Sequence, residues 1–169
     1  MTATHTVTVT ATVTAPPPEG PTGATGQPSD TAAATPPAGD VSLNDLTPIG
    51  DYPSEDPQIR SVTMGGKSHT GAMVFPSPCA RGYEYSINAR YKELTFTAGL
   101  DDNGVAQPGK LSVLGDGKAR KTVMLEINHP QTVTVDLTGV VKLIIEPDFD
   151  SDISCDGVIA AIADAVLRP

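Results

Sequence analysis

Short segments in which apolar and polar residues alternate fill the chain from residue 43 onward, and turn residues separate them. This alternation is typical of strands that bury one face and expose the other. The segments follow one another too closely for crossover helices, so neighbouring strands are expected to pair antiparallel. About eight strands are predicted, at residues 60–62, 70–75, 83–87, 94–98, 111–113, 123–127, 133–137 and 141–145.

Turn residues between these segments predict how the strands connect. Asp116 and Gly117 stand between two apolar alternations, and an Asp-Gly pair favours a tight hairpin because both central positions take positive φ. The resulting fold class is all-β, an antiparallel β-sandwich of the jelly-roll type. The C-terminal stretch VIAAIADAVL is rich in helix formers, so it could form a terminal helix or one or two closing strands.

Residues 1–42 have a different composition. They are mostly Thr, Ala, Pro and Gly, they contain no Leu, Ile, Phe or Tyr, and Thr occupies every even position from 2 to 14. The Thr alternation favours extended backbone, but the arm has too little apolar surface to offset the entropy of ordering, and its prolines oppose sheet pairing. We therefore predict a disordered Thr/Ala/Pro-rich linker at residues 1–42 and a domain at residues 43–169. Such a stalk is often O-glycosylated outside the cell, and is otherwise a plain spacer.

The chain is acidic, which restricts its partners. Its formal net charge is −9, of which Glu19, Asp30 and Asp40 give the arm −3 and leave −6 for the domain. This balance disfavours nucleic acid and anionic lipid, because both require a basic surface. The one small basic cluster, at residues 118–121, is interpreted as a solvated hairpin.

No stretch of the sequence resembles a targeting or membrane-spanning segment. None reaches the roughly 18 consecutive apolar residues that a spanning helix needs. The residues after Met1 contain neither a basic region nor an apolar run, so they do not form a signal peptide. The protein is then either cytoplasmic or, as we expect, extracellular or at the cell surface, with its export or anchoring segment absent from this chain. Nothing in the sequence suggests an obligate dimer, and a monomer is expected.

Two acidic clusters are the candidate sites for chemistry. Asp101 and Asp102 follow an apolar alternation and run into Asn-Gly, which is a loop signal. A second cluster spaces three carboxylates as the start of a calcium loop does: Asp148, Asp150 and Asp152. An EF-hand would next require Gly and Glu, where this chain has Ile153 and Ile159. The second cluster is therefore either a calcium site completed by other loops or an acidic solvated loop, and no other cofactor is expected.

The remaining reactive residues argue against an enzyme. The sequence contains no nucleophile elbow, no zinc-protease helix and no phosphate-binding glycine loop, and its histidines lie in the arm or beside turns. Cys79 and Cys155 have no partner at metal-ligand spacing. A disulfide between them would close most of the domain into one loop and contribute roughly 4 kcal/mol on a chain-entropy estimate. We predict this disulfide, and with it an oxidising compartment, over the alternative of buried thiols.

The order of several motifs resembles the NPCBM/NEW2 family of carbohydrate-binding modules, found beside glycoside hydrolases and in bacterial surface proteins. The motifs are a Leu-x-Asp-Leu start, a tyrosine-led strand ending in Gly-Leu-Asp, an Asp-Gly-Lys hairpin, a Val-x-Val-Asp-Leu-x-Gly-Val pair of strands and a terminal Asp-Ala-x-Leu strand. The matching positions after the start are Gly99, Leu100, Asp101, Asp116, Gly117, Lys118, Val133, Asp136, Gly139, Val140, Leu143, Asp164, Ala165 and Leu167.

The resemblance implies a galactose-binding-like β-sandwich, a C-terminal strand rather than a helix, and a structural role for the strand end GLDD. It also implies a non-catalytic module that binds a carbohydrate through loops at one end, with four predicted contacts: Tyr83, Tyr85, Asp101 and Asp102. At the family's terminal tryptophan this chain has Ile162, and it contains no Trp. The alternative is therefore a protein-interaction or sensor module that uses the same sandwich without binding sugar.

Overall fold

The structure is a computed structural model that describes residues 37–50, 57–75, 82–149 and 156–169. Within these residues the chain forms ten strands and one short 3-10 turn. In chain order they are β1 Val41–Ser42, the 3-10 turn Leu43–Asp45, β2 Gln58–Met64, β3 Lys67–Val74, β4 Tyr83–Ser86, β5 Glu93–Leu100, β6 Gly109–Gly115, β7 Lys118–Leu125, β8 Gln131–Asp136, β9 Lys142–Asp148 and β10 Ala160–Arg168.

The described strands form two antiparallel sheets. The larger sheet has the order β2-β3-β10-β5-β8, with β1 pairing with the C-terminal half of β10. The smaller sheet has the order β4-β9-β6-β7. The predicted all-β fold is confirmed. The C-terminal stretch is strand β10, which pairs with β5 from Ala160↔Leu100 to Arg168↔Glu93, so sheet pairing overrides its helix propensity.

The core lies between the two sheets and contains the alternate residues of each strand. Leu94, Phe96, Ala98 and Leu100 of β5 all point inward and are at most 1 % exposed. At one end of the core the rings of Phe75 and Tyr83 stack with centroids 5.6 Å apart. The inward positions of the other strands are equally buried, as the alternation predicts.

A second, smaller apolar cluster covers the outer face of the larger sheet. Its members come from β2, β3 and β10: Val62, Met64, Ala72, Val74, Ala161 and Ala163. The outward residues of β5 and β10 are small where the β2–β3 hairpin crosses them, and a Cβ at Gly99 would lie only 3.0 Å from Met64 Sδ. The small side chains on this face therefore allow the hairpin to pack closely on the sheet.

The loops fall at two ends of the sandwich. The last residues of β3, β5, β7 and β9 and the first residues of β4, β6, β8 and β10 lie at one end, here called the loop end, as the registers Ala160↔Leu100 and Gly109↔Leu125 require. The opposite end carries the turns β4–β5, β6–β7 and β8–β9 and the outer ends of β1 and β10. There the β6–β7 turn is made by Asp116 and Gly117, with φ of 52° and 76°. This confirms the predicted hairpin.

Strand β1 begins slightly before the predicted domain boundary at residue 43. Val41 and Ser42, which composition assigned to the arm, pair with Leu167 and Val166. Arg168 reinforces this corner, with its guanidinium 3.3 Å from a carboxylate oxygen of Asp40 and bonded to Glu93 as well.

Candidate functional site

Asp101 is a buried carboxylate at the point where β5 enters the β5–β6 loop. Its side chain is 4 % exposed, and Oδ2 lies 3.5 Å from Nη1 of Arg60. Its Oδ1 accepts hydrogen bonds from the Thr63 backbone (3.3 Å), the Asn103 backbone (3.2 Å) and the Asn103 side chain (3.0 Å). Asp101 therefore connects strand β2 to the β5–β6 loop.

The protonation of Asp101 reflects these contacts. Burial alone would raise the pKa of the carboxyl, because it disfavours the charged form. The hydrogen bonds from Asn103 and Thr63, together with the charge of Arg60, outweigh burial and hold the pKa below its usual value. The carboxylate is thus ionised at neutral pH and satisfied by its neighbours.

Asp102 anchors the turn of the β2–β3 hairpin. Its carboxylate accepts hydrogen bonds from the backbones of Gly65 (3.1 Å) and Gly66 (2.8 Å), and its own N–H donates to the Thr63 carbonyl at 2.7 Å. Both glycines have positive φ, of 59° and 73°, which suits glycine at this turn. Together the two aspartates fix the hairpin to the end of β5.

We expect Asp102→Ala to loosen this hairpin locally. The loss of two charge-assisted hydrogen bonds should cost about 1–2 kcal/mol, and amide hydrogen exchange at Gly65 and Gly66 should accelerate. The matched control is Asp116→Ala, since the Asp116 carboxylate similarly accepts from Val141 and Lys142 at the opposite end. Unchanged exchange at the two glycines in Asp102→Ala would contradict the anchoring role.

Tyr83 and Tyr85, two of the predicted ligand contacts, lie in the core. They are 2 % and 0 % exposed, and the Tyr85 hydroxyl donates to Met73 Sδ at 3.5 Å. All six aromatic side chains in the described residues are buried: Phe75, Tyr83, Tyr85, Tyr91, Phe96 and Phe149. None of these rings presents an open face on which a sugar could stack.

The loop end instead carries two pockets that both have Pro108 in their linings, here together called the groove, with a larger and a smaller lobe. The larger lobe has a volume of about 400 Å³ and is lined by Pro108, Gly109, Lys110, Met124, Asp148 and Phe149. The smaller lobe, of about 300 Å³, is lined by Ala106, Pro108, Glu126, Ile127 and His129. The groove therefore combines aliphatic surface with hydrogen-bonding and charged groups, as ligand sites do.

Three residues of the larger lobe form one row across the smaller sheet. Lys110 is the cross-strand partner of Met124 on β7 and of Asp148 on β9. The Lys110 ammonium lies 2.8 Å from Asp148 Oδ2, with both side chains about half exposed. The hydrogen bond to Asp148 and its charge raise the pKa of Lys110.

Sequence reasoning identified only Asp148 of this row. A signal for Met124 does exist, because it is an apolar residue at an outward position of β7, between Thr122 and Glu126. It is 49 % exposed. Lys110 gives no such signal, since an outward lysine is ordinary on any strand.

The calcium and disulfide hypotheses fall largely on residues that the structure does not describe. Asp150 and Asp152 of the acidic cluster lie outside the described residues, as do Cys79 and Cys155. Within the described ranges, no group of three or more His, Cys, Asp or Glu residues could hold a metal ion. The described member of the acidic cluster, Asp148, pairs with Lys110 instead.

Residues 118–121 are exposed on β7, consistent with a solvated hairpin. Across the described part of the chain, no helix has the length and apolar character needed to cross a membrane.

Comparison with known proteins identifies similar sequences and folds. The sequence profile of the NPCBM/NEW2 domain matches residues 40–168. Among solved structures, the tandem CBM51 modules of the family 98 glycoside hydrolase from Streptococcus pneumoniae are 15 % identical, with a TM-score of 0.61 over 77 % of this chain and 47 % of that one. The CBM51 module of a GH95 protein from Clostridium perfringens, in complex with methyl-galactose, is 15 % identical, with a TM-score of 0.58 over 76 % of this chain and 99 % of that one.

A third similar structure is CBM51-2 with the INT domains of Clostridium perfringens ZmpB, in complex with GlcNAc. It is 20 % identical, with a TM-score of 0.58 over 76 % of this chain and 31 % of that one. At these identities the likeness establishes the fold, and this chain spans less than half of two of these three proteins. No curated protein matches the sequence.

Proposed function

Because the chain belongs to the NPCBM/NEW2 family of non-catalytic carbohydrate-binding modules, we propose that it binds a carbohydrate at the loop end of its sandwich. The family match over residues 40–168 carries this proposal. Two of the structures with a similar fold were determined with sugars, namely GlcNAc and methyl-galactose. The ligand of this chain is accordingly proposed to be a sugar or a short glycan.

The proposed binding site is the two-lobed groove. Lys110, Glu126, His129 and Asp148 provide donors and acceptors that suit sugar hydroxyls. The resemblance predicted four contacts, and three of them, Tyr83, Tyr85 and Asp101, are buried. The fourth, Asp102, is partly exposed but holds the β2–β3 turn. The groove residues are therefore better placed than these four to contact a ligand directly.

The test is a glycan-array screen of the full chain in calcium and again in chelator, with folding of the sample checked by circular dichroism. Binding to a coherent set of sugars would support the proposal, and loss of binding in chelator would support the calcium hypothesis for Asp148, Asp150 and Asp152. An absence of binding in both conditions from a folded sample would reject it.

We expect Asp148→Asn to weaken the binding of a sugar found in this screen by about tenfold, because a charge-assisted hydrogen bond becomes a weaker neutral one. Titration calorimetry on the free sugar would measure the change. The matched control is Asp164→Asn, since Asp164 is 68 % exposed and outside the groove lining. Equal affinity in both variants would place the sugar elsewhere.

A protein-interaction or sensor module is the second candidate, and two observations favour it. All the aromatic rings in the described ranges are buried, and Ile162 replaces the tryptophan that the family has near the C-terminus. Under this hypothesis the sandwich would display its loop end to another protein. The same array screen separates the two, because this candidate predicts no coherent sugar set.

The proposal also includes an extracellular or cell-surface location. The Thr/Pro-rich composition of residues 1–42, proposed to serve as a stalk, supports it. So would a Cys79–Cys155 disulfide, which requires an oxidising compartment. Mass spectrometry after alkylation with and without prior reduction would test for that bond.

A further inference from the structure

Met124 differs in its exposure from the other methionines of the described residues. It is 49 % exposed, whereas Met64 and Met73 are 0 % and 1 % exposed. Met73 Sδ accepts a hydrogen bond from the Tyr85 hydroxyl inside the core. Met64 Sδ would lie only 3.0 Å from a Cβ at Gly99, so it is enclosed between the β2–β3 hairpin and the sheet. Among these three side chains, Met124 is the one that a reagent in solution can reach without any opening of the fold.

Met124 also lies where a change in its chemistry would affect the proposed ligand. Its side chain lines the larger lobe of the groove, and it is the cross-strand partner of Lys110. Directly opposed side chains of an antiparallel pair have Cβ atoms about 5 Å apart. The Lys110 ammonium contacts Asp148 Oδ2 at 2.8 Å, and an ammonium has three hydrogens to donate. A new acceptor on Met124 would therefore lie within reach of the Lys110 ammonium.

We infer that Met124 is a site of reversible oxidation, and that its sulfoxide weakens the binding of carbohydrate in the groove. In this step hydrogen peroxide transfers one oxygen atom to Sδ, so that the O–O bond breaks, an S=O bond forms and the peroxide is reduced to water. This inference rests on the proposed function and adds regulation of the same site.

Two effects of the sulfoxide oppose ligand binding. Oxidation turns a flexible apolar side chain into a polar one, which reduces the aliphatic surface that Met124 and Pro108 give to the larger lobe. The sulfoxide oxygen is also an acceptor on the strand next to Lys110. It would compete with Asp148 and with the hydroxyls of a sugar for the ammonium hydrogens.

The experiment treats the full chain with hydrogen peroxide for increasing times and follows each methionine by peptide mass spectrometry. We expect Met124 to gain one oxygen more than about tenfold faster than Met64 and Met73, because core residues react only when the fold opens locally. Titration calorimetry on a sugar found in the array screen should show binding weakened by about fourfold, which corresponds to the loss of one buried methyl group. A methionine sulfoxide reductase with a thiol reductant should restore both the mass and the affinity.

Met124→Leu keeps an apolar side chain at this position but has no sulfur to oxidise. Whatever its affinity before treatment, this variant should show the same affinity after peroxide. The matched control is Met64→Leu, which removes a buried methionine and should respond to peroxide as the wild type does. Comparison with Met124→Leu also separates the effect of Met124 from oxidation of other groups, including Cys79 and Cys155.

Three results would overturn the inference and leave the proposed function standing, since the untreated protein binds the sugar in each. The first is oxidation of Met124 no faster than that of Met64 and Met73. The second is equal affinity of the oxidised and the untreated protein. The third is a fall in affinity that persists in Met124→Leu or that the reductase does not reverse, because another modified group would then be responsible. No binding of any sugar by the untreated protein would reject the proposed function itself, and the inference with it.

Discussion

Tyr85→Ala is expected to lower the free energy of unfolding by about 3–5 kcal/mol, the range for removing a large buried aromatic side chain. Tyr85 is fully buried, and on β4 it opposes Leu143 of β9. A core packed from both sheets can close only part of the cavity that this substitution leaves. Urea denaturation at pH 7, followed by circular dichroism, would measure the change.

The matched control is Tyr85→Phe, which keeps the ring and loses only the weak hydroxyl contact to Met73. We expect it to cost less than about 1.5 kcal/mol.

Burial raises the pKa of Tyr85 in the folded protein, with a further contribution from Tyr83. The contribution of this pKa difference to the free energy of unfolding is fully present below the unfolded-state pKa of about 10, and it is lost as pH rises above that value. Tyr85→Phe should therefore lessen alkaline destabilisation. A Tyr85→Ala variant as stable as the wild type would contradict the burial assignment.

Asp101→Ala is expected to lower the free energy of unfolding by about 2–3 kcal/mol, since it removes the acceptor of three partly buried hydrogen bonds from Thr63 and Asn103 and the partner of Arg60. The folded-state pKa of Asp101 is depressed. Its contribution is present above the unfolded-state pKa of about 4 and is lost as pH falls through the lower folded-state pKa. The difference between wild type and variant should therefore shrink as pH falls below about 4. Denaturation curves at pH 7 and pH 3 would measure it.

The control for Asp101 is Glu126→Gln, an exposed carboxylate at the same end of the sandwich. Its replacement should change stability by no more than about 0.5 kcal/mol at either pH. If Asp101→Ala and Glu126→Gln behaved alike, the hydrogen bonds to Asp101 would have no net energetic role. A difference that persisted unchanged at low pH would show that the ionised carboxylate is not what stabilises the hairpin.

The fold was largely predictable because its signals are local. Alternation gave eight strands, and the Asp116-Gly117 pair gave the tight turn, since each depends only on neighbouring residues. Strand β1 was not predictable, because two residues are too few to show an alternating pattern. The strand forms only by pairing with Val166 and Leu167. Helix propensity likewise left open whether the C-terminal stretch β10 is a helix or a strand, and the family resemblance predicted the strand.

The candidate site was less predictable, for a different reason. Tyr83, Tyr85 and Ile87 alternate along the predicted strand 83–87, so they share a face, and Ile87 already indicates that this face is the core. The alternation alone therefore indicates that both tyrosines are buried. The contact between Lys110 and Asp148, in contrast, depends on the register between β6 and β9, which are separated by two further strands in the chain. No local pattern encodes that register.

The corner where β1 meets β10 has a mechanical consequence. A sugar held at the loop end and a chain leaving at Asp40 would transmit tension along the strands, through the pairs Val41↔Leu167 and Ser42↔Val166. The hydrogen bonds of an antiparallel pair are perpendicular to the strands, so this tension loads them together, in shear. Tension between Asp40 and Arg168 would instead peel β1 from β10 one bond at a time. The resistance of the module to force therefore depends on the direction of the pull as well as on its stability.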